Sequence, residues 1–140
     1  MHSLSIKNSV AEMAALEPFV EELSEEYGIE MSVSFNLQLA LDEALTNVVS
    51  YAYSEATGMP VTVNAEVEED GGQRRLVIDI IDHGMPFNPI EEAPEVDTTV
   101  GAEQRQIGGL GIFLIRKTMD ELRYRRDEGT NVFTLIKNIG

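Results

Sequence analysis

Val10, Met13, Leu16, Val20, Leu23 and Tyr27 recur at steps of three and four, with Glu12, Glu21, Glu22, Glu25 and Glu26 between them. That period predicts an amphipathic helix with one buried stripe, ending near Gly28. A second helix is predicted from Ser32 or Ser34 to Tyr53, capped by serine and apolar almost all round. Ahead of both, Leu4 and Ile6 alternate loosely enough for an edge strand. Val61 to Val67 and Arg75 to Ile81 read as two strands joined by Glu69-Asp70-Gly71-Gly72. Residues 85–107 keep no period and carry Pro86, Pro89, Pro94 and Gly101, so they read as a long functional loop. Helix returns from about Gly109 to Met119. Glu121 to Arg126 and Thr130 to Lys137 then form a hairpin around Asp127-Glu128-Gly129.

The order is strand, two helices, two strands, loop, helix, two strands. It predicts an α+β fold, a two-layer α/β sandwich whose mixed, mostly antiparallel sheet is covered on one face by helices. Strict βαβ alternation is absent, so the glycines do not read as a dinucleotide fingerprint. At 140 residues the chain fits one domain, 1–140. Cysteine is absent, which excludes disulfides and thiolate metal sites. No apolar run approaches the ~20 residues of a membrane span and no signal pattern opens the chain, so a cytoplasmic protein is expected.

Charge sharpens the picture. Through Gly72 there are 14 acidic residues against Lys7 alone, a net −13; the rest carries 11 acidic against 9 basic, a net −2. An acidic half of this kind repels phosphate backbones, so direct nucleic-acid binding is not expected. It either steers a basic protein partner or forms a solvated helix face.

Polar residues within the apolar second helix are the candidates for chemistry. At about 100° per residue, Leu41, Leu45, Val48 and Ala52 lie roughly 140–180° around from Glu43, and Glu43 and Asn47, four apart, share the opposite face. A carboxylate there can accept a proton and an amide oxygen can ligate Mg²⁺. Taken alone, the pair also fits an exposed stripe or a satisfied buried hydrogen bond. Asp42 points about 100° away from Glu43. Asp82 ends the apolar strand Leu76 to Ile81 and is followed by Gly84, which suits an acceptor for a ligand amine beside a close backbone approach. Asp-His-Gly is also a common turn. Gly108-Gly109-Leu110-Gly111 opens a helix, where free N–H groups attract anions. The same run serves equally as a hinge for the loop before it. No Lys-Ser/Thr follows, so it is not a Walker-type loop. Arg105 is a candidate phosphate contact.

Taken together and in order, these segments resemble a known family. Glu43 with Asn47 resembles the N-box of the GHKL superfamily, the ATPases sharing the histidine-kinase catalytic fold. Asp82-His83-Gly84-Met85-Pro86-Phe87-Asn88-Pro89 is similar to its Asp-x-Gly box as found in anti-sigma factor serine kinases. Gly109 to Ile115, running into Met119-Asp120-Glu121, resembles that branch's second glycine box, and Gly129-Thr130-Asn131-Val132 its closing strand. The resemblance implies ATP and Mg²⁺ as cofactors, with Asn47 holding the metal and Glu43 as general base toward a protein serine. Asp82 would bind the adenine amine, with Thr130 supporting it through a water, and Gly84 would allow close approach of the base. Phe87, Arg105 and the run Gly108, Gly109, Leu110 and Gly111 complete the implied nucleotide contacts, with 86–107 as the ATP lid. The implied function is a serine/threonine protein kinase acting as an anti-sigma factor, with a STAS-domain anti-anti-sigma protein and a sigma factor as partners. A nucleotide-dependent binding module without catalysis is the alternative. Homodimerisation through the unprotected first strand is also expected. Where the family often has a histidine one turn after the asparagine, this chain has Tyr51.

Overall fold

The computed structural model describes residues 2–9, 11–53, 58–92 and 107–140. Its strands are β1 (His2–Lys7), β2 (Pro60–Asp70), β3 (Gln73–Asp82), β4 (Glu121–Asp127) and β5 (Thr130–Asn138). They form one sheet in the order β1-β2-β3-β5-β4, antiparallel at every pairing. The helices are α1 (Leu16–Tyr27), α2 (Met31–Asn47), the single turn α3 (Pro89–Glu92) and α4 (Ile107–Thr118). Both hairpin loops, Gly71-Gly72 and Glu128-Gly129, hold two residues with positive φ, the twist that tight antiparallel turns require.

Strand alternation explains the core. Val61, Val63, Ala65, Leu76, Ile78, Ile80, Phe133 and Leu135 are buried on one sheet face beneath Leu16, Leu23, Leu37, Leu41, Leu45 and Ile115. Asp82 pairs with Asn131 two residues beyond the Ile80–Phe133 pair. Two polar residues therefore stand at the core-facing phase where the sheet ends. Among the described residues, no helix is long and apolar enough to cross a membrane.

Helix ends depart from expectation in informative ways. Ser9 and Glu12 open the first helical segment as a short 3₁₀ turn, Glu12–Ala15. The Glu12 N–H donates to Ser9 Oγ (3.2 Å) and the Lys7 N–H donates to Glu12 Oε1 (2.9 Å). The serine cap expected for α2 is not made. Gly28 turns left-handed (φ 64°) and the Ile29 N–H returns to Ser24 O at 3.0 Å, which leaves only Ile29 and Glu30 before α2. The helix thus begins at Met31, ahead of both serines, and the Ser34 hydroxyl accepts instead from Ser24 Oγ (2.8 Å). At its other end α2 stops at Asn47 and widens into a π turn, Val48–Ala52, with the Tyr53 N–H donating to Val48 O at 3.0 Å.

The α2 and α4 helices pack against each other. After α4, Asp120 bonds to the end of β5 through its own N–H to Ile136 O (2.9 Å) and through Oδ2 to the Asn138 N–H (2.7 Å). Residues Asn138 to Gly140 in turn line a cavity with Gly28 to Glu30 and Val33, at the start of α2. The end of α4 thus lies toward the start of α2. Its glycine-rich first turn therefore lies toward the other end of the helical layer, where Asn47 and Asp82 stand.

Candidate active site

Three polar side chains from separate segments meet in one cleft. Asn47 ends α2, Asp82 ends β3 and Asn131 sits near the start of β5. All three are buried, at 4%, 3% and 2% exposure. With Phe87, Tyr124 and Phe133 they line a small, mostly apolar cavity of about 10 Å³.

Asn131 organises the cleft. Its Nδ2 donates to Asp82 Oδ1 (2.8 Å) and to Met85 O (2.8 Å). Its Oδ1 accepts from the Tyr124 hydroxyl (2.5 Å) and Arg126 Nη1 (3.1 Å), with the Phe87 N–H at 3.5 Å. Arg126 also donates to Gly84 O at 2.8 Å. One buried amide thus ties the turn 82–87 to the β4–β5 hairpin. It is the functional residue missed from the sequence, and a polar side chain at a core phase of its strand was the available signal.

Asp82 Oδ1 accepts from Asn131 and from the Gly84 N–H (2.9 Å). Its Oδ2 has no hydrogen-bond partner among the described residues, so it is free to accept from a ligand amine. Burial pushes the Asp82 carboxyl above its ordinary value of 3.8, against the lowering pull of Asn131, Gly84, Arg126 and His83.

Gly84 is required by contact rather than by φ. A Cβ there would stand 2.4 Å from Ala52 O, 2.7 Å from Ala52 C and 3.0 Å from Tyr53 Cδ1. The neighbouring Met85 N–H donates to that same carbonyl at 2.9 Å. The π turn after Asn47 thus delivers the Ala52 carbonyl to the Asp-x-Gly turn, and π turns concentrate at functional sites. Tyr53 ties the same junction, accepting from the His83 N–H and donating to Pro60 O, both at 2.7 Å.

Asn47 is left unfinished. Its Nδ2 is fully buried and has no partner among the described residues, a deficit worth roughly 1–3 kcal/mol until something satisfies it. A ligand oxygen at this position would do so, and the amide oxygen is of the hard type that Mg²⁺ takes. Among the described residues no group of three or more His, Cys, Asp or Glu could hold a metal ion. A cation here would therefore share Asn47 with ligand oxygens and water, as Mg²⁺ commonly does.

The remaining predicted residues fall as follows. Glu43 is half-buried one turn before Asn47, with no hydrogen bond or ion pair among the described residues. Thr130 lies outside the cleft lining; its Oγ1 is 3.2 Å from His83 Nδ1, and Asn131 rather than Thr130 meets Asp82. Gly108, Gly109, Leu110 and Gly111 form the opening of α4, within the helix from its second residue. Arg105 and positions 93–106 of the expected lid lie outside the described residues.

Residues 6–137 match the histidine kinase-like ATPase domain family. The chain belongs to that family. Within the family it resembles serine kinases. It is 34% identical over 100 residues to the serine-protein kinase RsbW of Listeria monocytogenes, covering 69% of this chain and 61% of that protein. It is 32% identical over 102 residues to the serine/threonine-protein kinase BtrW of Bordetella bronchiseptica, covering 72% and 68%. The chain spans about three-fifths of the length of the RsbW relatives. The fold recurs in the RsbU and RsbW domains of a Mycobacterium tuberculosis protein, with a TM-score of 0.64 at 17% identity over 98% of this chain and 32% of that one. It recurs also in the SiaB–SiaC complex of Pseudomonas aeruginosa, at 0.57 and 16% over 97% and 89%.

Proposed function

We propose that this chain is an ATP-dependent serine/threonine protein kinase that acts as an anti-sigma factor in the cytoplasm. It would phosphorylate a STAS-type anti-anti-sigma protein and sequester a sigma factor, working as a homodimer. The observation that carries the nucleotide part is the convergence of Asn47 and Asp82 on one cleft, with the Asn47 Nδ2 buried and without a partner among the described residues. The names of the relatives carry the kinase part.

In this reading Asp82 Oδ2 accepts from the adenine amine, while Asn131 holds Oδ1 and fixes the carboxylate plane. Phe87 and Phe133 supply apolar walls. Asn47 would hold Mg²⁺, which would supply positive charge to offset that developing on the phosphates. The free N–H groups at the start of α4 receive phosphate oxygens, and the absence of side chains at its glycines lets the backbone come close. Thr130 supports the adenine end through a water, and Arg105 meets a phosphate from the lid. Glu43, unpaired and beside Asn47, takes the proton from the incoming serine hydroxyl. Phosphoryl transfer asks mostly for positioning and charge neutralisation, which these groups provide.

Incubation of the chain with labelled ATP, Mg²⁺ and a STAS-domain protein encoded beside its gene tests the reading. Label on a partner serine or threonine is the expected result. ATP binding with no transfer to any such partner would instead make the chain a nucleotide-dependent binding module.

A further inference from the structure

The helical layer's outer surface carries two parallel stripes that the cleft does not use. On α2, Met31 is 87% exposed and Phe35 is 68% exposed, and half-buried Leu39 continues the same i, i+4, i+8 row. On α1, Glu17, Glu21 and Glu25 form an exposed row of the same spacing.

The packing of α1 on α2 places the rows side by side. Ser24 Oγ donates to Ser34 Oγ at 2.8 Å, which fixes the α1–α2 seam. Further along, Glu17 lies close enough to Asp42 to push its carboxyl up, adding to burial, while the Gln38 hydrogen bond at 3.1 Å lowers it. Asp42 is on the Phe35 face, seven residues on. None of Glu17, Glu21 and Glu25 makes an ion pair among the described residues, and Lys7 is the only lysine or arginine before Arg74. Among the described residues these acids therefore meet no internal cation.

We propose that this outer face of the α1–α2 hairpin is a docking surface for a cationic amphipathic helix of a protein partner. Apolar residues of that helix would rest on Met31, Phe35 and Leu39, and its lysines or arginines would meet Glu17, Glu21, Glu25 and Asp42. Matching spacing on both stripes favours a helix over an extended strand, because both rows repeat every four residues. An isologous pairing with a second copy would set these acids against themselves, which disfavours it. Phe35 stands about 120° around α2 from Asn47 and about 18 Å along its axis, so the surface is independent of the nucleotide reading.

A fluorescein-labelled amphipathic Leu/Lys peptide, followed by anisotropy, is the probe. The wild-type chain should bind it more tightly than a scrambled peptide of the same composition, and less tightly as salt rises. Met31→Ser with Phe35→Ser should weaken binding at least about tenfold, as should Glu17→Gln with Glu21→Gln and Glu25→Gln. The matched charge change Glu66→Gln, Glu69→Gln and Glu128→Gln should leave affinity within about twofold, which separates a local surface from general acidity. Equal binding of the scrambled peptide, or equal loss in both glutamine sets, would overturn the proposal. A sedimentation shift from dimer to monomer on Phe35→Ser would overturn it too, assigning the face to a second copy.

Discussion

Replacing Gly84 with alanine probes the junction that builds the site. The added Cβ would lie 2.4 Å from the Ala52 carbonyl oxygen and 2.7 Å from its carbon. Both are backbone atoms, so no side chain can swing away. Relief requires the turn 83–85 and the π turn to separate by most of an ångström, which stretches the 2.9 Å Met85–Ala52 hydrogen bond. Overpacking of this kind costs roughly 1–3 kcal/mol and the lost hydrogen bond about 1 kcal/mol more. A total of about 2–4 kcal/mol lowers the melting temperature by on the order of 10 °C in a chain of this size. The same displacement moves Asp82 relative to Asn47, so nucleotide affinity should fall at least about tenfold, roughly 1.4 kcal/mol. Gly71→Ala is the control. Gly71 has φ +60° and open space where a Cβ would stand, with nothing within 4 Å, and it lies in a hairpin remote from the cleft. Alanine there carries backbone strain of roughly 1–2 kcal/mol without a clash. Thermal melts and calorimetric titration with Mg-ATP read both effects. If Gly84→Ala melts no lower than Gly71→Ala and keeps wild-type affinity, the close approach is not what the site depends on.

Three further outcomes follow from the same geometry. Glu43→Gln should leave nucleotide affinity near wild type and lower phosphoryl transfer to the partner by roughly 10²–10⁴-fold, the usual worth of a positioned base; transfer at the wild-type rate would remove Glu43 from that role. Tyr53→Phe should cost about 1–3 kcal/mol in chemical denaturation, because the His83 N–H and Pro60 carbonyl both lose their partner. Asp82 titrates higher in the fold than in the unfolded chain, so its contribution to stability is full below its ordinary pKa and is lost as pH rises through the folded value. Asp82→Asn can keep both Oδ1 hydrogen bonds without the buried charge. It should therefore melt higher than the wild type at neutral pH, with the gap closing toward pH 4, and a gap that widens on acidification would contradict this.

Much of the fold was legible because its elements obey simple periods. Leu16, Val20, Leu23 and Tyr27 gave α1 its buried stripe, Gly28 its end, and Gly71-Gly72 and Glu128-Gly129 their hairpins. Glu43, Asn47, Asp82 and the glycine run were legible as unusual residues at defined places on those elements. The π turn was not, since nothing in Val48 to Ala52 opposes an α-helix, and its Ala52 carbonyl accepts from the distant Met85 N–H. Asn131 and Tyr124 escaped for a related reason: their value lies in a network joining residues 82 to 87 with 124 to 131, which local pattern does not display. The α3 turn, inside the segment read as loop, was missed although it carries a local signal. Asn88 Oδ1 accepts from the Ile90 N–H at 3.0 Å, with Pro89 at the first helical position, a start signal that the density of prolines obscured.

The most direct measurement of the central claim is calorimetric titration of Mg-ATP into the wild-type chain and into folded Asn47→Ala and Asp82→Asn variants. The account predicts one nucleotide per chain for the wild type. Asp82→Asn should bind at least about tenfold more weakly, because an amide cannot offer its nitrogen to the adenine amine as an acceptor. Asn47→Ala should lose the dependence of affinity on Mg²⁺. Wild-type affinity and wild-type Mg²⁺ dependence in both variants would contradict the assignment of this cleft as the nucleotide site.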